Sequence, residues 1–192
     1  SPDKNTLALV GLDKVAVPED AAFDSFTAAG DGTTVYAAGS GKGGCEVARC
    51  PAIFHSDDSG ATWTRLRADG YLGGDLLIPP AFPTDSRIFV ASPFALQVST
   101  DAGRSFVNLT NVGGSAAMSP EFSDGDPRIL IGAAPGWVYD DSDKTVKPVT
   151  SLSPAPSLTR TFAFSPSYRA DRRILVGGTR TPLGGADVST VT

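Results

Sequence analysis

An all-β chain of repeated four-stranded units follows from three features: a turn phrase written twice, a strand phrase that recurs, and a composition favouring short strands over helices. Ser56-Asp57-Asp58-Ser59-Gly60-Ala61-Thr62-Trp63 and Ser99-Thr100-Asp101-Ala102-Gly103-Arg104-Ser105-Phe106 share the pattern Ser-x-Asp-x-Gly-x-Thr/Ser-aromatic. Arg87-Ile88-Phe89-Val90-Ala91-Ser92 returns as Arg128-Ile129-Leu130-Ile131-Gly132-Ala133 and as Arg173-Ile174-Leu175-Val176-Gly177-Gly178. Thr34-Val35-Tyr36-Ala37-Ala38-Gly39 is a more distant copy. With 21 Gly and 15 Pro in 192 residues, the apolar runs are short and bounded by turn formers, which suits strands. Four antiparallel strands per unit, at a period of about 40 to 45 residues, are the grammar of β-propeller blades.

Taken in order, residues 1–20 read as a lead-in, with Leu7–Leu12 the last strand of an earlier blade. Blades follow at approximately 23–66, 75–110, 116–149 and 161–192. In the second, the strands are expected at Asp75–Pro79, Arg87–Ser92, Ala95–Thr100 and Ser105–Leu109, each too short for a helix. Polar turns from Pro80, Pro120 and Pro166 lead into the Arg-Ile strands. The third unit keeps its strands but replaces the turn phrase with Trp137-Val138-Tyr139-Asp140-Asp141-Ser142-Asp143. The fourth runs out near Gly184-Gly185-Ala186-Asp187-Val188, where its third strand should begin. About four blades are visible and the chain stops in mid-blade, so a partial propeller is expected over a small closed ring. Open blade edges invite pairing, so self-association or a second chain completing the propeller is expected with it.

Net charge is −5, from 16 Lys and Arg against 21 Asp and Glu, and the basic residues are scattered. Nucleic acid is therefore not expected as a partner, since phosphate binding needs a concentrated basic surface. No apolar run approaches the roughly 18 residues of a membrane span. Cys45 and Cys50 flank a short loop in Gly43-Gly44-Cys45-Glu46-Val47-Ala48-Arg49-Cys50-Pro51. With no second cysteine pair and His55 the single histidine, they read as one disulfide rather than a metal site. That places the chain in an oxidising setting: extracellular, cell-surface or periplasmic. Asn108-Leu109-Thr110 is a glycosylation acceptor triplet.

The chemistry of the turn phrase is local. Asp58 and Asp101 can accept backbone N–H bonds across the turn, Gly60 and Gly103 supply angles a side chain would forbid, and Trp63 and Phe106 tuck beneath the hairpin into the space between sheets. Ser56, Thr62, Ser99 and Ser105 complete the two staples. The phrase resembles the Asp-box, or bacterial neuraminidase repeat, of sialidases, sortilin-type receptors, xyloglucan-cleaving glycosidases, photosystem II assembly propellers and secreted bacterial proteins. The resemblance covers roughly 23–179, although only two units carry the box. It implies a structural role for the box on the outer rim, away from the axial face where ligands collect.

The resemblance to sialidases implies three clamping arginines, a tyrosine–glutamate nucleophile pair and an acidic aspartate. Arg87, Arg128 and Arg173 lack the proline of the sialidase Arg-Ile-Pro phrase and recur as scaffolding does. Tyr36, Tyr71, Tyr139 and Tyr168 have no glutamate in an obvious pairing among Glu19, Glu46 and Glu121. Other glycosidases need two facing carboxylates, for which Asp24, Asp31 and Asp75, near the starts of blades, are the candidates. No catalytic residue is assigned and no cofactor or metal is expected. The acidic turn Asp140, Asp141, Asp143 is where structural calcium would sit, although it lacks the spaced ligands of a calcium loop. His55, at a strand end, reads as structural; Gly39-Ser40-Gly41-Lys42-Gly43-Gly44 lacks the P-loop ending. The expected function is a non-catalytic extracellular module recognising protein or glycan, with the cysteine loop as first point of contact. Two alternatives stand beside it: part of a glycoside hydrolase, or a structural subunit joined through blade edges.

Overall fold

The computed structural model describes residues 21–42, 50–66, 68–133, 135–149, 158–180 and 185–191. Its strands form antiparallel sheets taken in chain order. The first sheet holds β1 (Ala22–Ala28), β2 (Val35–Gly41), β3 (Cys50–Ser56) and β4 (Thr64–Leu66). The second holds β5 (Asp75–Leu77), β6 (Ile88–Ala91), β7 (Leu96–Ser99) and β8 (Val107–Thr110). The third holds β9 (Ser115–Met118), β10 (Arg128–Gly132), β11 (Trp137–Asp140) and β12 (Thr145–Pro148). The fourth has three strands among the described residues: β13 (Leu158–Phe164), β14 (Ile174–Arg180) and β15 (Gly185–Val191). One helical turn, α1 (Tyr168–Asp171), links β13 to β14. The lead-in and the loop centred on Cys45 lie outside the described residues.

First strands stand beside one another, β1 by β5, β5 by β9 and β9 by β13. They form the inner lining, and the fourth strands form the rim. This is the arrangement of propeller blades, and the chain is an all-β arc of one. Because strands alternate direction, the loops from second to third strand and from one blade to the next gather at one end. The other two loop types gather at the opposite end.

The central strands are short apolar runs rather than alternating ones because both faces are covered. All of β6 is buried. Ile88 and Val90 face backwards, in one core with Tyr36, Ala38 and Ile53 of the first blade. Phe89 faces forwards, in a core with Ile129, Ile131 and Phe122 of the third. Leu130 faces forwards in turn, against Phe162, Tyr168, Ile174 and Val176 of the fourth. Each such buried side chain contributes about 1.5–3 kcal/mol.

The recurring Asp-x-Arg before each of these strands ties blades together. Arg87 forks onto Asp85 at 2.8 and 2.7 Å and reaches Asp141 of the third blade at 2.7 Å. Arg128 pairs with Asp126 and donates to the Tyr168 hydroxyl of the fourth blade at 2.6 Å. Burial pushes the Asp126 carboxyl up, but hydrogen bonds from Arg128, Tyr168 and Ser119 outweigh it and hold the group below the usual carboxylate range.

Candidate functional site

The repeated turns occupy the end opposite the blade-to-blade linkers. Ser56 Oγ donates to Asp58 Oδ1 at 2.7 Å and accepts from the Gly60 N–H at 2.8 Å. Asp58 accepts from the Thr62 N–H at 2.8 Å and the Thr62 hydroxyl at 2.6 Å. Ser99, Asp101, Gly103 and Ser105 repeat the network, at 2.7, 2.8, 2.9 and 2.6 Å. Bonding to Thr62 and Ser105 first of all lowers the carboxyls of Asp58 and Asp101 to about 2. Gly60 and Gly103 lie at φ 90° and 88°, and Ser59 and Ala102 before them at 58° and 56°. Every oxygen of these carboxylates thus accepts a hydrogen bond from within its own turn.

The aromatics that close the two turns part company. Phe106 is buried between the first and second blades, 5.6 Å from the Tyr71 ring. Trp63 is not between two of the described sheets, as the sequence led us to expect. It lies half-buried on the first blade's outward face, donates Nε1–H to Gly60 O at 2.8 Å, and packs 5.0 Å from Phe23. Position in the arc decides this: the second blade has a described neighbour behind its rim strand, and the first has none among the described residues. Asp31 also departs from expectation, capping the β1–β2 turn through Thr33 and Thr34 at the far end from Asp24 and Asp75.

Asp24 and Asp75 do come together. They line a cleft of about 340 Å³ between the first two blades, with Ser40, Cys50, Pro51, Tyr71, Gly73 and Gly74. Gly74 and Asp75 also line a second depression of about 270 Å³ with Ala91, Pro93, Gly114 and Ser115. The two form one groove along the starts of the inner strands, crossing from the first blade to the third. Phe94, 73% exposed, stands beside Pro93, and Leu72, 47% exposed, beside Tyr71. The lining therefore carries the Asp24 and Asp75 carboxylates, with an exposed apolar residue next in the chain to Pro93 and to Tyr71.

Its walls are tied by hydrogen bonds and close backbone contacts. The Tyr71 hydroxyl donates to Gly74 O at 3.0 Å; burial, joined by the negative charges of Asp24 and Asp75, pushes the phenol pKa well above its ordinary value. Gln97, 2% exposed, donates to Gly70 O at 2.8 Å and Asn108 Oδ1 at 3.0 Å and accepts from the Leu72 N–H at 3.1 Å. It thereby fixes the linker that forms one side. A Cβ on Gly74 would stand 2.2 Å from Ala91 O, and one on Gly114 2.5 Å from Gly132 O. Only glycine lets the inner strands begin so close to their neighbours. The pairs Gly73-Gly74 and Gly113-Gly114 are the sequence signal for this groove, and reading the Arg-Ile repeat alone passes over it. The base of the cysteine loop, Ser40 and Cys50-Pro51, borders the groove; Cys45 lies outside the described residues.

A wider depression of about 770 Å³ opens at the opposite end, lined by Asp126, Arg128, Asp140 and Arg172. Its arginines are engaged, Arg128 by Asp126 and Arg172 by Glu121. His55 pairs with Asp57 at 3.0 Å and stacks 4.7 Å from Tyr36. Among the described residues no group of His, Cys, Asp and Glu has a metal-binding arrangement, and no helix is long and apolar enough to cross a membrane.

No protein-family signature matches the chain, and no curated protein matches it. Solved structures do. The GH74 xyloglucanase of Xanthomonas campestris superposes with a TM-score of 0.62 at 18% identity, covering 88% of this chain and 29% of that one. The Niastella koreensis GH74 enzyme gives 0.61 at 17%, covering 88% and 28%. YCF48 bound to D1 peptide gives 0.50 at 16%, covering 83% and 46%. The chain thus spans less than a third of the two enzymes and under half of YCF48. At these identities the likeness shows the propeller fold alone.

Proposed function

From a propeller arc with one groove at its linker end, we propose that the chain is a non-catalytic recognition module that binds an extended segment of a partner protein. The carrying observation is the groove's continuity across three blades through the shared Gly74 and Asp75. Its surroundings suit an extended chain: Phe94 and Leu72, exposed and each next in sequence to a lining residue, offer apolar contact, while Asp24, Asp75 and the strand-end carbonyls accept hydrogen bonds. That YCF48 is seen with a peptide supports this reading. An extracellular, cell-surface or periplasmic location belongs to the same proposal and rests on the expected pairing of Cys45 with Cys50. Intact mass under non-reducing conditions, two hydrogens below the reduced mass, supports the bridge.

A second reading has its own observation. Asp24 and Asp75 face one cleft, as the paired carboxylates of a glycosidase do, and the xyloglucanases share the fold. One experiment separates the two. The chain is titrated calorimetrically with a library of extended peptides and, in parallel, with xyloglucan oligosaccharides while released reducing ends are measured. Peptide binding abolished by Phe94→Ala, with no sugar released, supports recognition. Sugar release lost in Asp24→Asn and Asp75→Asn supports the hydrolase. Peptide binding indifferent to Phe94 and Asp75 removes the groove from the proposal.

A further inference from the structure

The described carboxylates divide into two kinds. Most are held by the fold itself. Asp31, Asp58 and Asp101 take hydroxyl and N–H donors within their turns, and Asp85, Glu121 and Asp126 take arginines. The carboxylates of Asp24 and Asp75 have no ion pair and accept no hydrogen bond among the described residues. Both side chains are exposed, and both line the cleft between the first two blades. After burial, their two charges are what raise the Tyr71 phenol, so they act on one hydroxyl. No Lys, Arg or His lines that cleft or the depression that Asp75 shares with Pro93 and Gly114.

Neither aspartate belongs to the repeated scaffold. Register aligns the inner strands: Ser25 pairs with Ala38, Asp75 with Ala91, Ser115 with Gly132 and Thr161 with Gly177. Each partner lies two residues beyond Tyr36, Phe89, Leu130 or Leu175, the third residue of the recurring strand phrase. Among the described blades, the second thus carries a carboxylate where the others carry a hydroxyl. Asp24 is the extra residue of a β-bulge, since β1 shifts register between Phe23 and Ser25, and bulges re-aim side chains. Two blades therefore bring to one cleft carboxylates that the scaffold neither repeats nor neutralises.

We propose that the partner segment held in the groove carries a lysine or arginine, and that Asp24 and Asp75 receive its charged head. The inference rests on the recognition reading above and names the chemistry recognised. A cation seated there makes charge-assisted hydrogen bonds to two acceptors without displacing an internal partner. The net charge of −5 favours the approach of a basic segment. Asp75 carries more of the choice than Asp24, because it lines both halves of the groove.

The test is selection of a random extended-peptide library on the full 192-residue chain, followed by calorimetry with synthetic versions of a selected peptide. Lys or Arg is expected at a fixed place in the selected sequences. Changing that residue to Gln should weaken binding about tenfold, and the gap between the two peptides should shrink as NaCl is raised. Asp75→Ser installs the residue of the first and third blades, so circular dichroism should be unchanged. Combined with Asp24→Asn it should bind the Lys and Gln peptides alike, each single variant losing part of the preference. Asp57→Asn removes the same charge at the opposite end and should keep the preference whole. Selected peptides without a basic residue, or a preference that survives in Asp75→Ser/Asp24→Asn, overturn the inference and leave the recognition reading standing. Equal loss of preference in Asp57→Asn reduces the effect to net charge and overturns the site. A library from which nothing is selected overturns the recognition reading itself, and this inference with it.

Discussion

Asp101 shows how much one side chain does here. It accepts from the Arg104 and Ser105 N–H groups at 3.0 and 2.9 Å and from the Ser99 and Ser105 hydroxyls at 2.7 and 2.6 Å. Asp101→Ala leaves those donors to water and is expected to lower Tm by several degrees, with Phe106 losing its fixed approach to the core; a thermal melt checks it. The carboxyl is held at about 2, chiefly by Ser105, against about 3.9 in an unfolded chain. A depressed folded pKa means stability that is present above about pH 4 and lost as pH falls towards 2. The Tm gap between wild type and Asp101→Asn should therefore narrow across that window, and a gap constant from pH 7 to pH 2 would remove the charge from the account. These roles were legible in the sequence because spacing within one hairpin fixes them. The place of Trp63 was not, since whether a box aromatic is enclosed depends on the blade behind it. Nor was the role of Asp141, which keeps the box aspartate's register but takes Tyr139 in place of serine and accepts an arginine from another blade.

At the scale of the blade, strands came through the sequence to within a residue or two: Arg87–Ser92 was expected and Ile88–Ala91 is found. Short apolar runs between Gly, Pro and Asp leave little choice. The groove was less legible because it is made between blades, from residues far apart in the chain. Asp24 and Asp75 could be named from their places near blade starts, whereas Tyr71, Gln97 and Phe94 matter through contacts no local pattern records. Two predictions belong here. Gly74→Ala places a Cβ against Ala91 O at φ 131° and should cost about 2–3 kcal/mol, whereas Gly32→Ala, at φ 79° with open space around it, should cost about 1 kcal/mol. Urea denaturation checks the difference, and equal costs would mean that the inner strand shifts freely. Arg87→Met strips the guanidinium from Asp85 and Asp141, 19% and 12% exposed. A loss of about 2 kcal/mol is expected, below that of a fully buried pair because water reaches the arginine.

The described sheets form a line of blades, each packed against its neighbour, and the stability of such a line is a sum of units and interfaces. The second and third blades are packed on both faces by described sheets. The fourth is packed by a described sheet on one. Among the described sheets, opening the fourth blade breaks one interface and opening the third breaks two. Hydrogen exchange should report this directly, since an amide opens with the free energy of the smallest unit that frees it. Amides in β6 and β10 are expected to exchange slowest and those in β14 markedly faster, although all three strands carry the same Arg-Ile phrase. Substitution should follow the same gradient. Leu130→Ala removes a buried forward contact and should cost about 2–4 kcal/mol, while Leu175→Ala, its 43%-exposed counterpart in β14, should cost less than about 1 kcal/mol. Equal protection along β6, β10 and β14 at low concentration would contradict the line of nearest neighbours and point instead to an arc that opens and closes as one unit.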